Sequence, residues 1–172
     1  LEAVLQALRA LGKLGGDRAI SVLIDAIGDP DGEVRQAAVE ELGRIGDEKA
    51  IYALCDRVKV ADPDMAQSVI RALSAIANSE AVDCLIRLLI DEDLSCFAED
   101  ALIEIGTSVI PQVRDIYEST DDCEVIDHLR YILISLHCRH HSTIGPSPML
   151  WREKDRDFTD QLSGALQNSD WP

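Results

Sequence analysis

The densest group of side chains that could bind a metal or act as nucleophiles is a histidine-rich stretch near the C-terminal end. His137-Cys-Arg-His-His141 places three imidazoles and a thiol within five residues. On a helix, His137 and His141 would share one face and could hold a zinc or nickel ion. A structural zinc site needs four ligands and a catalytic one needs three, and the sequence offers no second spaced pair. We therefore predict no metal site here, but the polar end of a helix, where such side chains stabilise the C-terminus.

Carboxylates are the second chemical feature. Residues 91–127 contain twelve acids and one base, a net charge of −11 out of −16 for the chain. The stretch opens with Asp91-x-Asp93-x-Ser95, as a calcium loop does, but Cys96 stands where that loop needs glycine. Two interpretations stay open: solvated acids that stabilise helix N-termini, or a surface that attracts a basic partner protein. On the second interpretation, the partner-binding residues are Asp91, Glu92, Asp93, Glu99, Asp100, Glu104, Asp121 and Asp122.

Several classes of function are excluded by what the chain lacks. It has no glycine-rich phosphate loop and no serine nucleophile elbow, so we predict no catalytic residue and no cofactor. Thirty-two acids against sixteen bases oppose binding to nucleic acid, and no apolar run is long enough to span a membrane. The five cysteines form no close C-x-x-C pair. We expect free thiols, most of them packed like small hydrophobic residues, and a cytoplasmic location.

The elements that carry these residues are repeats. The segment Ala10-Leu-Gly-Lys-Leu-Gly-Gly-Asp-Arg-Ala-Ile20 recurs 31 residues later as Glu41-Leu-Gly-Arg-Ile-Gly-Asp-Glu-Lys-Ala-Ile51, and weaker copies begin at Ala72 and Ala101. One leucine anchors each unit, at spacings of 31, 31, 29 and 31 residues: Leu11, Leu42, Leu73, Leu102 and Leu133. A fixed period of this length is the signature of stacked structural repeats.

Each repeat is predicted to contain two helices. In the first complete unit, Asp31 is a suitable N-cap for the second helix and Gly46 a suitable end, since glycine readily adopts positive φ. Four positions of the second helix are apolar in every unit, which predicts one continuous core. They are Val34, Ala38, Leu42 and Ile45; Met65, Val69, Leu73 and Ile76; Leu94, Ala98, Leu102 and Ile105; and Val125, Leu129, Leu133 and Leu136. Pro111 is expected in the first turn of its helix, which we start near residue 107 or 108.

These repeats resemble the short HEAT-like repeats named after phycobilisome lyases. The resemblance is carried by Leu-Gly-x-Ile/Leu-Gly before Ala-Ile, by Asp29-Pro-Asp31, and by Val34-Arg-Gln-Ala-Ala38. It implies an all-α fold, a right-handed α-α superhelix of HEAT/armadillo-like repeats, over residues 1–138. In the family, an arginine at position 35 pairs with an aspartate of a neighbouring repeat. Since later units hold Ala66, Ser95 and Ile126 there, we expect apolar packing to join those units.

The C-terminal part follows a different pattern. Residues 139–148 have the composition of a linker, 149–167 form an amphipathic pattern with Trp151 and Phe158, and 168–172 are expected to be disordered. The amphipathic helix is predicted either to cap the last repeat or to dock onto a partner through its two aromatic residues. At the other end, Leu1, Leu5 and Leu8 already form a helical stripe, so the sequence is expected to begin inside a helix.

Three functions follow as hypotheses. The first is a non-catalytic scaffold that binds a partner protein, with a basic surface, on the concave face of the solenoid. The second, implied by the resemblance alone, is a subunit of a bilin lyase-like factor acting on phycobiliproteins, for which a partner subunit would be expected. The third is the repeat domain of a larger enzyme. The oligomeric state is not predicted by any pattern in the sequence.

Overall fold

A computed structural model describes residues 1–58 and 63–140, and the side-chain surroundings of residues 1–58 and 63–136. The predicted helix at 149–167, with Trp151 and Phe158, the tail at 168–172 and the linker after residue 140 lie outside the described residues. The side chains of the histidine-rich stretch also lie outside them.

All regular structure in the described ranges is helical. It comprises α1 (Glu2–Leu14), α2 (Asp17–Ala26), α3 (Gly32–Ile45), α4 (Glu48–Val58), α5 (Pro63–Ile76), α6 (Ser79–Arg87), α7 (Ser95–Ile105), α8 (Ile110–Ser119) and α9 (Cys123–His140), with short 3-10 helices at Leu88–Ile90 and Thr107–Val109. None of these helices is both long and apolar enough to cross a membrane.

The helices form two layers. The odd layer contains α1, α3, α5, α7 and α9, each packed against the next, and the even layer contains α2, α4, α6 and α8 in the same order. Each even helix also packs against the odd helix that follows it in the chain. The predicted all-α solenoid of two-helix repeats is therefore confirmed.

Local signals fix where the helices begin and end. The Asp31 side chain accepts a hydrogen bond of 2.9 Å from the Glu33 amide, and Gly46 ends α3 with φ 62° and ψ 21°. The N-terminus of α6 is capped in the same way, because Asn78 Oδ1 accepts from the Ala81 amide at 2.9 Å. Pro111 lies in the first turn of α8 as predicted, but α8 begins at Ile110, because residues Thr107–Val109 form a 3-10 turn where the helix was expected to start. These caps satisfy amides that have no partner within their own helix.

The four predicted apolar columns form the core. Each column contains the equivalent residues of successive units, and every member is buried except three residues of the fourth column, Ile45, Ile76 and Ile105, which are partly buried and pack against the core. Leu42, Leu73 and Leu102 are completely inaccessible to solvent. Because each column spans several units, the core is continuous along the stack rather than divided between repeats.

Neighbouring helices of the odd layer approach each other closely where their side chains are small. A Cβ placed on Gly43 of α3 would lie 2.9 Å from the Cβ of Ala72 on α5. At the equivalent position of α1, a Cβ on Gly12 would collide with the Glu41 carboxylate, which is buried beneath α1 and paired with Arg44 at 2.9 Å. These glycines therefore set the spacing between successive repeats.

One helix end departs from the glycine pattern. Ala77 follows α5 with φ 50°, in the left-handed region that glycine occupies after α1, α3 and α7. A side chain with a Cβ is strained in this backbone conformation, and substitution by glycine would relieve that strain. The gain is offset in part by the greater conformational freedom of glycine in the unfolded chain. We expect Ala77→Gly to raise the free energy of unfolding by about 0.5–1 kcal/mol. Urea denaturation checks this, and Ala75→Gly, at an exposed helical position, should instead lower it by about 0.5–1 kcal/mol.

Arg35 contacts its own turn. Its guanidinium donates to the carbonyl oxygens of Asp29 and Pro30 at 3.1 and 3.0 Å, and so braces the turn before α3. Adjacent repeats of the even layer are also joined at the surface by Lys49, whose ammonium lies 2.7 Å from Asp17. The hydrogen bond from Lys49 lowers the pKa of Asp17, and the same bond raises the pKa of Lys49. Both side chains are largely exposed, so their contribution to stability is small.

The prediction of free cysteines is wrong for one pair. Cys55 of α4 and Cys84 of α6 form a disulfide with a Cα–Cα distance of 6.1 Å, which joins two consecutive repeats of the even layer. Of the described cysteines, Cys96 and Cys123 are free, and both are exposed rather than packed in the core. The spacing of Cys55 and Cys84 could have predicted this bond, because residues about one period apart on the first helices of consecutive repeats face each other in a stack.

Candidate protein-binding surface

The outward face of the odd layer is formed by equivalent positions of successive helices. Five positions in each repeat point away from the even layer. Counted from the anchor leucine, they lie nine, six, five and two residues before it and two residues after it. In the repeat of α7 they are Asp93, in the turn before α7, and Cys96, Phe97, Asp100 and Glu104 on α7, all of them exposed. We call this set the α7 face.

Phe97 distinguishes the α7 face from its neighbours. Its side chain is 39% exposed, and among the exposed large hydrophobic residues of the described chain it lies alone on the odd layer's outward face after α1. The equivalent positions on α3 and α5 hold Ala37 and Ser68. Phe97 is thus a partly exposed aromatic residue at a position that is small in the preceding two repeats.

Charge reinforces this difference. The face of α5 carries both signs, with Asp64 and Arg71, whereas the α7 face has only acids. No described residue forms an ion pair with Asp93, Asp100 or Glu104, although Asp127 on α9 pairs with Arg130 at 2.9 Å. The α7 face therefore surrounds an exposed aromatic ring with carboxylates whose charge is not neutralised by described neighbours.

Two of the other predicted acids, Asp91 and Asp122, have a structural role. Asp91 accepts a hydrogen bond from the Asp93 amide at 3.1 Å, in the turn before α7. Asp122 accepts from the Glu124 amide at 3.0 Å at the start of α9. Glu92 and Asp121 are exposed in the same two turns. For Asp91 and Asp122, the interpretation as helix-stabilising acids accounts for their position.

Glu99 differs from the other predicted surface acids because it is buried. It is 4% exposed, and its Oε1 lies 2.5 Å from Nδ1 of His128 on α9. The same position holds aliphatic residues in the earlier units, Leu8, Val39 and Ile70, all buried. Glu99 therefore cannot contact a partner directly. It forms a polar link between the last two repeats and orients His128, which occupies the position of α9 equivalent to Phe97.

The surface offers no evident metal site. Among the residues whose side chains are described, no three His, Cys, Asp or Glu side chains come together as metal ligands would. Asp91 and Asp93 lie in the turn before α7, and Oδ1 of Asp91 accepts a hydrogen bond from the Asp93 amide of that turn.

Comparison with known proteins agrees with this architecture. Residues 3–74 match the family model described as HEAT repeats. Beyond that segment the same pairing of helices continues to His140. The chain therefore contains HEAT-like repeats in its N-terminal part. Against the curated proteins its sequence gives no match.

Among the solved structures that are similar to this chain are a lyase complex and an engineered protein. The complex of CpcE and CpcF of phycocyanin lyase from Nostoc sp. PCC7120 is 22% identical with a TM-score of 0.50, over 79% of this chain and 60% of that one. An engineered protein is 25% identical with a TM-score of 0.39, over 77% of this chain and 44% of that one. The HEAT-like chain thus spans less than two thirds of either, and the likeness to the lyase chain is one of fold.

Sequence reasoning missed Phe97 as a surface residue. The signal that could have found it is its register, since Phe97 lies outside all four apolar columns, five positions before Leu102. An aromatic residue there has no place in the core of a HEAT-like repeat. The distance of each acid from the anchor leucine would also have distinguished Glu99, at a buried position, from Asp100, at an exposed one.

Proposed function

We propose that the protein is a non-catalytic scaffold that binds a partner protein, with Phe97 as anchor and the carboxylates of the α7 face around it. The observation that carries the proposal is an exposed aromatic ring among acids without described ion-pair partners. Aromatic side chains near the centre of an interface commonly supply much of its affinity. Rim charges mainly raise the rate of association and select partners of opposite sign.

The expected partner is a protein with a basic patch beside an apolar pocket or side chain. The acidic C-terminal repeats would steer it toward α7, and the ring of Phe97 would be covered on docking. Nucleic acid is disfavoured, because Asp100 and Glu104 would repel phosphate groups. In solenoids, the layer formed by second helices lines the extended surface to which partners bind.

The test is quantitative capture from the native lysate, comparing matched pairs of variants of the whole chain. We expect Phe97→Ala to reduce capture of the partner about tenfold or more, as loss of an aromatic anchor does. Tyr52→Ala removes an exposed aromatic residue from α4 in the even layer, 52% exposed, and should leave capture unchanged. Asp100→Asn with Glu104→Gln should weaken capture mainly at low salt, whereas Asp25→Asn with Asp56→Asn should not.

Equal capture by all variants would contradict the proposal, because the interaction would then not use the α7 face. Circular dichroism of each variant guards against loss of fold as the cause. If capture depends on Phe97 but not on salt, Phe97 is the anchor of the interface, and the claim that the partner is basic is wrong.

The lyase-like alternative receives support from architecture alone. The complex of CpcE and CpcF is a phycocyanin lyase, and a bilin-handling role for the present chain would follow only if it binds the pigment. A red-shifted absorbance band on mixing purified protein with a linear tetrapyrrole would favour that role over a scaffold without ligand chemistry. The repeat domain of a larger enzyme is the third alternative, tested by the identity of the captured protein.

A cytoplasmic location also belongs to the proposal, and the disulfide gives it a test. Reducing systems of the cytosol keep most thiols free, so a bond between Cys55 and Cys84 is more usual in oxidising compartments. Acid quenching of intact cells, followed by differential alkylation and mass spectrometry, would give the redox state of the pair. A fully oxidised pair in cells would contradict a reducing location.

A further inference from the structure

The contact between Glu99 and His128 places a titratable ring beside the α7 face. The side chain of Glu99 is 6% exposed and that of His128 is 21% exposed, and Nδ1 of His128 lies 2.5 Å from Oε1 of Glu99. The three preceding units have buried aliphatic residues at the position of Glu99. Packing between repeats therefore does not require a carboxylate at this position.

The contact determines which nitrogen of His128 can take up a proton. With a neutral imidazole and an ionised carboxylate, Nδ1 donates its hydrogen to Glu99, and Nε2 is the unprotonated nitrogen. A proton taken up at Nε2 makes the ring cationic without breaking the contact with Glu99. The pair then changes from one negative charge to no net charge. Histidine is the side chain whose charge ordinarily changes between about pH 5 and 8.

His128 lies close enough to the α7 face to alter its electrostatic potential. It occupies the same position on α9 as Phe97 does on α7, and the two helices pack against each other. Packed helices lie about 8–10 Å apart, which is about one Debye length at physiological ionic strength. A positive charge on His128 would therefore weaken the attraction of the α7 face for cations.

The other groups around His128 belong to the two helices of this interface. α8 packs on the opposite side of α9, and the 3-10 helix Leu88–Ile90, which also contacts α9, has no charged side chain. Asp127 is paired with Arg130 at 2.9 Å. The remaining charged or titratable side chains nearest to His128 by position are Asp93, Cys96 and Asp100 in and before α7, and Glu124 and Tyr131 on α9. Of these residue types, only histidine ordinarily changes its charge between about pH 5 and 8.

We propose that His128 regulates partner binding at the α7 face in response to pH. This inference rests on the proposed function, because the regulated step is the docking of a basic partner on Phe97. When His128 is neutral, the carboxylate of Glu99 adds to the negative potential of the face. When His128 is protonated, that charge is compensated and a cationic ring lies beside the docking site. Binding is therefore stronger at about pH 7.5 than at about pH 5.5.

The potential at the α7 face can be measured without a partner, through the thiol of Cys96. Cys96 is exposed on this face and lies one helical turn before Glu99. Its rates of modification by a cationic trimethylammonium and an anionic sulfonate methanethiosulfonate reagent are measured on the full chain by peptide mass spectrometry. The ratio of the cationic to the anionic rate cancels the pH dependence of the thiol itself. We expect this ratio to fall about threefold or more between pH 7.5 and 5.5 at low salt, and to change little in about 1 M salt.

Variants at position 128 assign the change to this ring. His128→Gln should abolish the pH dependence of the ratio, and His128→Arg should give a low ratio at every pH. The control Asp127→Asn removes a neighbouring charge, and it should shift the ratio by a similar factor at both pH values and keep the pH dependence. Circular dichroism at both pH values checks that each variant is folded. A ratio that does not change with pH in the natural chain, or that changes equally in His128→Gln, would overturn the proposal.

Capture of the partner separates a failure of this inference from a failure of the proposed function. Between pH 7.5 and 5.5, capture by the natural chain should weaken about two- to fivefold more than capture by His128→Gln, which controls for titration of the partner itself. If capture is unaffected by Phe97→Ala, the proposed function fails, and with it the regulatory role, even where the ratio at Cys96 changes with pH. If capture requires Phe97 but depends on pH equally in His128→Gln, only the present inference fails.

Discussion

Leu73→Ala is expected to lower the free energy of unfolding by about 3–5 kcal/mol, near the upper end of the range for leucine truncations in protein cores. Leu73 is completely buried on α5, the central helix of the odd layer. Since α5 contacts α3 and α7 as well as α4 and α6, a cavity at this position is enclosed on all sides and can relax little. Urea denaturation followed by circular dichroism measures the loss.

The control for this variant is Ile90→Ala. Ile90 is 60% exposed at the end of a 3-10 turn, and its truncation should change stability by no more than about 0.5 kcal/mol. Leu102→Ala, at the equivalent position of α7, should resemble Leu73→Ala. Values near zero at both leucines would mean that the anchor column does not form the core and that the register of the repeats is wrong.

Reduction of the disulfide is expected to lower the free energy of unfolding by about 3–4 kcal/mol. Cys55 and Cys84 are separated by 29 residues, and closing a loop of this size restricts the unfolded chain to that extent in the loop-entropy description. The loop encloses all of α5, so the bond also resists local opening between the second and third repeats. Thermal and urea unfolding with and without reductant, with free thiols counted, measures the effect.

Two sets of cysteine variants separate this bond from other thiol chemistry. Cys55→Ser with Cys84→Ser should unfold like the reduced natural chain and should not respond to reductant. Cys96→Ser with Cys123→Ser removes the two described free thiols and should keep the full response. If the natural chain is equally stable with its thiols demonstrably reduced, the bond contributes nothing to the stack.

Much of the fold was accessible to sequence reasoning because repetition supplies an internal alignment. The period of the anchor leucines, the N-cap Asp31 and the terminal Gly46 predicted helices and their ends that the structure confirms. Physical constraints of this kind are local. A cap needs only its own turn, and an apolar column needs only a helical period.

What sequence reasoning missed depends on contacts between units. The bond between Cys55 and Cys84, the burial of Glu99 beside His128, and the approach of Gly43 to Ala72 each involve two residues about one period apart. Net charge over residues 91–127 likewise mixed acids that cap helices with acids that face solvent. Only the placement of each side chain on its helix separates the α7 face from the structural carboxylates.

The central claim, partner binding through the α7 face, is tested most directly by a thiol footprint at Cys96. Cys96 is exposed next to Phe97, so alkylation by N-ethylmaleimide reports whether this surface is covered. A reference thiol is introduced by Ser21→Cys at an exposed position of α2 in the even layer.

Alkylation rates are read by peptide mass spectrometry, for the free chain and for the purified complex with its captured partner. The account predicts that the partner slows alkylation of Cys96 at least about tenfold, as burial in an interface core would, and leaves residue 21 unaffected. Equal rates at Cys96 in the free and bound chain, or protection at residue 21 instead, would contradict it.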